Sequence, residues 1–272
     1  MLRAMRYALI FLVACGGSGD DGGGGDDTPG VDAASTASHA GFVSIQSYDA
    51  MNIPGTPTRG GSTSAGFYMA GPQCTTLQTL GPCKLQQCPT STPAGPQSAG
   101  TITITGATKP LSLVPGTDKV YAQQTSTTTL FAGGESISFA AAGADLPAFT
   151  VSVTTPAKAT ITAPTKPAAG SLLAVNRAQD FTVSWTGGGG GKVQVYLSDN
   201  AKALFCRFDG SAGTGKVPAA ALALLSAGSG AFAMASIGLA TKTAGDWDVE
   251  ASAYFNAVWP DAAIVSGGST IQ

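Results

Sequence analysis

Phe181-Thr182-Val183-Ser184-Trp185 puts a bulky apolar side chain at every second position. A strand sends successive side chains to opposite faces, so this run has one apolar face (Phe181, Val183, Trp185) and one hydroxyl face (Thr182, Ser184). The same period of two runs through Thr101-Ile102-Thr103-Ile104-Thr105, Ser136-Ile137-Ser138-Phe139, Phe149-Thr150-Val151-Ser152-Val153 and Lys192-Val193-Gln194-Val195-Tyr196. Runs of Thr, Val, Ile and aromatic residues punctuated by Gly and Pro predict half-buried antiparallel strands. Many short strands at this spacing predict an all-β protein of sandwich type.

Outward from these runs, the body from residue 41 to 272 is long for one sandwich and accommodates two. The Pro-rich stretch 156–167 is the expected seam, giving units at 41–157 and 158–272, although Ala159 to Ala163 can itself be a first strand. One segment reads as helical, near 218–226. Pro218 stands where a first turn tolerates it, Ala219 to Leu225 are strong helix formers, and Gly228 and Gly230 end the run.

The N-terminus has the layout of an export signal. Arg3 and Arg6 precede an apolar run from Tyr7 to Val13, which is far shorter than the roughly 20 residues of a spanning helix. Leu12-Val13-Ala14-Cys15-Gly16 follows, and on this motif the segment resembles the lipobox of bacterial lipoproteins. The resemblance implies a signal peptide over 1–14, lipid on Cys15 and attachment to a membrane of the cell envelope. Gly16, rather than Asp, after the cysteine is consistent with an outer-membrane address. Residues 15–40 read as a flexible tether, too rich in Gly, Asp and Ser to bury apolar surface.

The net charge of −2 divides unevenly, with five Asp residues at 20, 21, 26, 27 and 32 and a nearly neutral remainder. No basic surface is available to displace phosphate counterions, which argues against nucleic acid as a partner. With Cys15 acylated, Cys74, Cys83, Cys88 and Cys206 form an even set, and an oxidising compartment predicts two disulfides. Cys74 with Cys83 and Cys88 with Cys206 is the preferred pairing. Leu204, Cys206 and Phe208 alternate onto one strand face, however, so Cys206 can also be a buried thiol.

The strands at 181–185 and 192–197, Cys206-Arg207-Phe208, and Val217-Pro218 leading to Leu222 and Leu225 resemble an immunoglobulin-like domain of bacterial surface proteins. More broadly, residues 42–272 resemble uncharacterised lipoproteins of myxobacterial genomes. The features that carry this are Gly133-Gly134-Glu135, Leu146-Pro147-Ala148-Phe149 and Trp185-Thr186-Gly187-Gly188. The resemblance implies one or two immunoglobulin-like antiparallel sandwiches after the tether, and no activity. The cysteine pair that staples the two sheets of antibody domains is absent, because Cys206 stands alone in this segment.

Several motifs bear on chemistry. Gly210-Ser211-Ala212-Gly213-Thr214-Gly215-Lys216 has the spacing of a phosphate-binding loop, but Val217 replaces the magnesium-holding hydroxyl and Pro218 removes a donor. It reads as a glycine-rich turn entering the short helix. His39 is the only histidine and lies at the tether, where no packing is expected to hold it, which disfavours triads and histidine metal sites. No cofactor and no metal site are expected.

In Asp246-Trp247-Asp248-Val249-Glu250 the three acids share one strand face, opposite Trp247 and Val249. On an open strand they would all stay ionised. Trp259, with Tyr254 or Tyr68, can stack on a sugar ring if exposed. Asp246, Asp248, Glu250 and Trp259 are therefore the candidate ligand contacts. The expected function is a non-catalytic binding or scaffolding role for an envelope protein, acting through loops at the sandwich ends. The alternative is a carbohydrate-binding or carbohydrate-active protein.

These expectations meet in one mass measurement on protein extracted from membranes. The chain should begin at an acylated Cys15 and gain four alkyl groups only after reduction. Retention of Met1 with freely alkylating thiols would put the chain in the cytosol and reopen Gly210 to Lys216 as a nucleotide site.

Overall fold

The computed structural model describes residues 39–49, 59–69, 74–87, 95–168, 171–260 and 267–272. The signal segment, Cys15, the tether up to residue 38 and Cys88 lie outside the described residues. Residues 39 and 40, assigned above to the tether, are instead the first two of a strand.

Eleven strands share one sheet. They are β1 (His39–Asp49), β2 (Arg59–Tyr68), β3 (Thr75–Leu80), β4 (Cys83–Gln87), β7 (Gln124–Ser126), β11 (Leu173–Val175), β13 (Lys192–Ser198), β14 (Ala203–Asp209), β16 (Gly228–Ala244), β17 (Trp247–Asn256) and β18 (Gly267–Ile271). The order across it is β3-β4-β14-β13-β16-β17-β1-β2-β7, with β18 pairing β16 and β11 pairing β18.

Two smaller sheets complete the fold. One runs β6-β5-β8-β9, from β5 (Ile102–Thr105), β6 (Leu111–Leu113), β8 (Ser136–Ala141) and β9 (Phe149–Thr154). The other runs β10-β12-β15, from β10 (Ala159–Ala163), β12 (Phe181–Gly187) and β15 (Thr214–Val217). The helix expected near 218–226 is one turn, α1 (Ala219–Leu222), with Pro218 at its N-terminal boundary.

The protein is thus all-β with one short helix, but its sheets are not purely antiparallel. β1 enters between β17 and β2, antiparallel to β2 and parallel to β17, from His39 opposite Trp247 to Ser47 opposite Phe255. β11 and β18 are also parallel. A strand inserted between two neighbours that run in opposite directions must be parallel to one of them.

Each smaller sheet closes a core against one face of the large sheet. Ile102, Ile104, Ile137, Phe139, Phe149 and Val151 meet Val43, Phe67, Trp247, Val249 and Ala251 in the first core. Phe67 is its hub, with ring centroids 5.9 Å from Tyr121, 6.0 Å from Phe149 and 6.2 Å from Trp247. Gly41 makes room for it, since a Cβ there would stand 2.2 Å from the Phe67 ring. Burial of each such large apolar side chain is worth about 1.5–3 kcal/mol.

The second core gathers Ile161, Val183, Trp185 and Val217 against Val193, Val195, Leu204, Phe232 and Met234, with Leu222 and Leu225 from the helical corner. In chain order the two covering sheets lie on either side of residue 157. The large sheet draws on both sides of that point: β17, late in the chain, lines the first core, while β4, early in it, lines the second.

The alternating pattern is obeyed in the covering sheets, where β5 and β9 bury every second residue and expose the others. It is not obeyed in β13, where Gln194 and Tyr196 are as buried as Val193 and Val195. The physical reason is that both faces of the large sheet are buried there.

The preferred disulfide pairing is corrected by register. Cys83 bonds to Cys206 across 123 residues, because β4 lies beside β14 with these two residues directly opposite. Cys206 is therefore not a free thiol. Cys74 is also disulfide-bonded.

Bridging so long a loop removes much of the unfolded chain's freedom. Replacing Cys83 and Cys206 together by Ser should lower the unfolding free energy by about 2–5 kcal/mol, read from the denaturant midpoint. An unchanged midpoint would show that the sheet holds β4 in place without the bond.

Candidate functional site: the second face of the large sheet

The acids proposed from sequence divide on folding. Trp247 and Val249 point into the first core, so Asp248 and Glu250 lie on the opposite face of β17 as expected. Asp246 does not join them. It precedes the strand in an exposed turn, and its carbonyl accepts the backbone N–H of His39. Trp259 is not an exposed ring: it is 6% exposed in the second core, beside Phe232, and its Nε1 donates to the Pro164 carbonyl at 2.8 Å. Tyr254 is buried as well. Of the aromatic residues named for ring stacking, Tyr68 alone remains half-buried.

Strand register sets what surrounds Asp248 and Glu250. Tyr68, Ala40 and Asp248 form one row across β2, β1 and β17. The next row is Gly66, Phe42, Glu250 and Thr241 on β16, and the third is Ser64, Ser44, Ser252 and Leu239. Neighbouring rows on one face stand about 7 Å apart and neighbouring strands about 4.8 Å.

Phe42 and Tyr68 lean together over Gly66, where a Cβ would lie 2.7 Å from the Phe42 ring and 3.0 Å from the Tyr68 ring. Glycine at this position is what lets two rings lie close to the sheet. Ser44 and Ser64 share a hydrogen bond of 2.9 Å beside them, and Thr243 Oγ1 donates to the Asp248 carboxylate at 3.1 Å.

Further along the face the polar groups bond to one another. Gln46 Nε2 donates to Asn256 Oδ1 at 2.8 Å, Ser62 Oγ to Gln46 Oε1 at 3.3 Å, and Arg207 Nε to Gln194 Oε1 at 3.0 Å. Gln46, Ser62, Gln194 and Asn256 are all buried. They form a structural polar layer, whereas Phe42, Ser64, Tyr68, Asp248 and Glu250 keep part of their surface in water.

Burial pushes the Glu250 carboxyl up to about 7, against the pull of Arg207 and Lys84. The side chain is only half-buried by surface area yet crowded by protein, and crowding is what raises the cost of its charge. The expectation that acids on this strand simply stay ionised is corrected for Glu250. Near neutrality Glu250 exists in both forms, and the carboxylic acid both donates and accepts hydrogen bonds.

Other groups with chemical potential are spent on structure. Glu135 accepts hydrogen bonds from Ala132 N, Gly133 N and Thr155 Oγ1 at 2.7–2.8 Å, and these outweigh its burial and lower its pKa. Gly210 to Ala212 is a 3₁₀ turn, and Lys216 lies on β15, 3.5 Å from Asp180, so the glycine-rich segment enters a strand and not the helix directly. His39 is held after all, by Trp247 at 4.9 Å between ring centroids and by a hydrogen bond to the Met69 carbonyl. Among the described residues no group of three or more His, Cys, Asp and Glu side chains can hold a metal ion. No described helix is long and apolar enough to cross a membrane.

No family model and no curated protein matches the chain. Among solved structures it is similar to one described as "Structural insight into host cell surface retention of a 1.5-MDa bacterial ice-binding adhesin", with 14% identity and a TM-score of 0.21, over 82% of this chain and 65% of that one. The chain thus spans less than two thirds of that structure, and a likeness at this level transfers neither fold nor function.

Phe42, Gly66 and Ser64 were not legible as site residues, since only the register of β17, β1 and β2 together brings them beside Glu250. The raised Glu250 pKa has a direct consequence for stability. Its folded value of about 7 lies above the ordinary 4.5, so the stability it contributes is complete at low pH and is lost as pH rises through 7. Glu250→Gln should therefore unfold at higher denaturant than the parent at pH 8, with the difference shrinking as pH falls toward 4.5. A constant difference across that range would show that Glu250 titrates normally.

Proposed function

We propose that this protein is an extracytoplasmic lipoprotein, held to the cell envelope through Cys15, that binds carbohydrate without cleaving it. The observation that carries the reading is the convergence of Phe42 and Tyr68 over Gly66 beside the Glu250 carboxyl. A sugar ring has an apolar C–H face, which stacks on an aromatic ring, and an edge of hydroxyls, which needs paired donors and acceptors. Phe42 and Tyr68 supply the first requirement; Asp248, Glu250 and Ser64 supply the second. Apolar ring surface beside a few convergent polar groups and one perturbed carboxyl is a combination that small-ligand sites favour. The binding surface is then the face of the large sheet and not the loops at its ends.

The reading is non-catalytic on geometric grounds. Glycoside hydrolysis needs two carboxyl groups on either side of the scissile bond. Asp248 and Glu250 project from one strand to the same side, so both would meet the same face of a bound sugar. The disulfide between Cys83 and Cys206 supports an oxidising compartment.

A glycan array followed by calorimetry on the best ligand tests the reading. Phe42→Ala and Tyr68→Ala should each weaken binding by about tenfold or more, which corresponds to ~1.4 kcal/mol. Trp259→Phe, in the second core, should leave affinity unchanged. The proposal fails if the parent protein retains no glycan, or if the two ring variants bind as well as the parent does. Release of reducing ends from any bound polysaccharide would overturn the non-catalytic part alone.

A further inference from the structure

Strand edges expose unpaired N–H and C=O groups, and natural sheets blunt them with charge, proline, shortness or a cover. Most edges of this protein are treated in that way. β6 and β7 have three residues each. β9 is covered by β16, whose Gly238 lies so close that a Cβ there would be 2.1 Å from the Thr154 carbonyl oxygen. β10 is bridged along its edge by Val258, which accepts from Ile161 N and donates to Ala159 O. β15 carries Lys216.

β3 is the exception. It ends the large sheet, pairs with β4 on one side, and has no strand of the described residues hydrogen-bonded on the other. Thr75 to Thr79 are all exposed, Leu77 by 47%. No charged residue occurs between Gly60 and Cys83, so the strand has none of the lysines that normally guard an edge. It is also pre-ordered: Cys74 immediately before it and Cys83 three residues after it are both in disulfides. Holding the template rigid in advance lowers the entropy cost of adding a strand.

We propose that β3 is a self-association edge, at which a second copy of this chain adds its own β3 in antiparallel register to continue the sheet across a two-fold axis. The sequence suits this occupant. With the axis between Leu77 and Gln78, Thr75 meets Leu80, Thr76 meets Thr79 and Leu77 meets Gln78, and no like charges face each other. An isologous contact of this kind closes after two copies and does not propagate into fibres, because the other end of the sheet is the short β7. The bulge that leaves Leu77 without a β4 partner sits at the axis and adds an apolar contact between the copies.

Sedimentation equilibrium of the purified full chain in density-matched detergent, over roughly 1–200 µM, tests this. The parent should show a monomer–dimer equilibrium. Leu77→Lys and Leu77→Asp each place two like charges at the axis, and each should raise the dissociation constant at least tenfold. Unreduced mass and far-ultraviolet circular dichroism establish that each variant keeps its disulfides and its sheet. If one variant fails that check, the other decides. A parent protein that stays monomeric at 200 µM overturns the proposal, as does a dimer whose affinity neither substitution changes. A monomer that still binds a soluble peptide of residues 74–83 also overturns it, in favour of strand addition by another protein.

Discussion

The pairing of β1 with β17 is the constraint on which the rest of this fold depends. Two stretches near opposite ends of the described chain lie side by side for nine residue pairs, and Gln46 and Asn256, 210 residues apart, share a hydrogen bond across them. Without this contact the first core loses one wall, because Trp247, Val249 and Ala251 face Ile102, Phe139 and Phe149 only when β17 has joined β1 and β2. The same pairing puts Phe42 beside Glu250, so the candidate site depends on it too. Contacts of such sequence separation must overcome a large loop-closure entropy before they return any stabilisation. The fold is therefore expected to close late and cooperatively.

The two faces of the large sheet solve different problems. One face supports two apolar cores, where Phe67 and Trp185 fill the space between sheets and the Trp185 Nε1 finds the Gly210 carbonyl at 2.8 Å. The other sets two small apolar clusters, around Tyr196 with Phe205 and around Ile237 with Tyr254, beside buried amides and hydroxyls, several of which hydrogen-bond to one another. The Gln46, Asn256 and Ser62 contacts hold register along the centre of that face, while half-buried Phe42, Tyr68 and Glu250 mark where it opens. A carboxyl left there without full hydration has its charge made costly, which is the physical origin of the Glu250 shift. Glu135 shows the contrast: buried to a lesser degree and given three donors, it is held in its charged form.

Disulfide placement follows the same logic of register over sequence proximity. Cys74 and Cys83 are near in the chain, but the turn at Gly81 and Pro82 folds β3 back on β4 and leaves Cys83 facing β14. The bond to Cys206 fastens the β3–β4 hairpin to the body of the sheet at a point where β4 contributes Cys83 and Leu85 to the second core.

The all-β class, the short helix after Pro218 and the alternation of the covering strands were legible in the amino-acid pattern, because each depends on neighbours within a few residues. That pattern also determined that Trp247 and Val249 face a core while Asp248 and Glu250 do not, since period-two geometry is local. Which strands are neighbours came from the fold, and with it the mixed sheet, the Cys83–Cys206 bond, the burial of Trp259 and the convergence of Phe42, Tyr68 and Glu250. Those features depend on register between segments up to two hundred residues apart. Alternation assigns a residue to a face, but hydrogen bonding between distant strands chooses what it meets there.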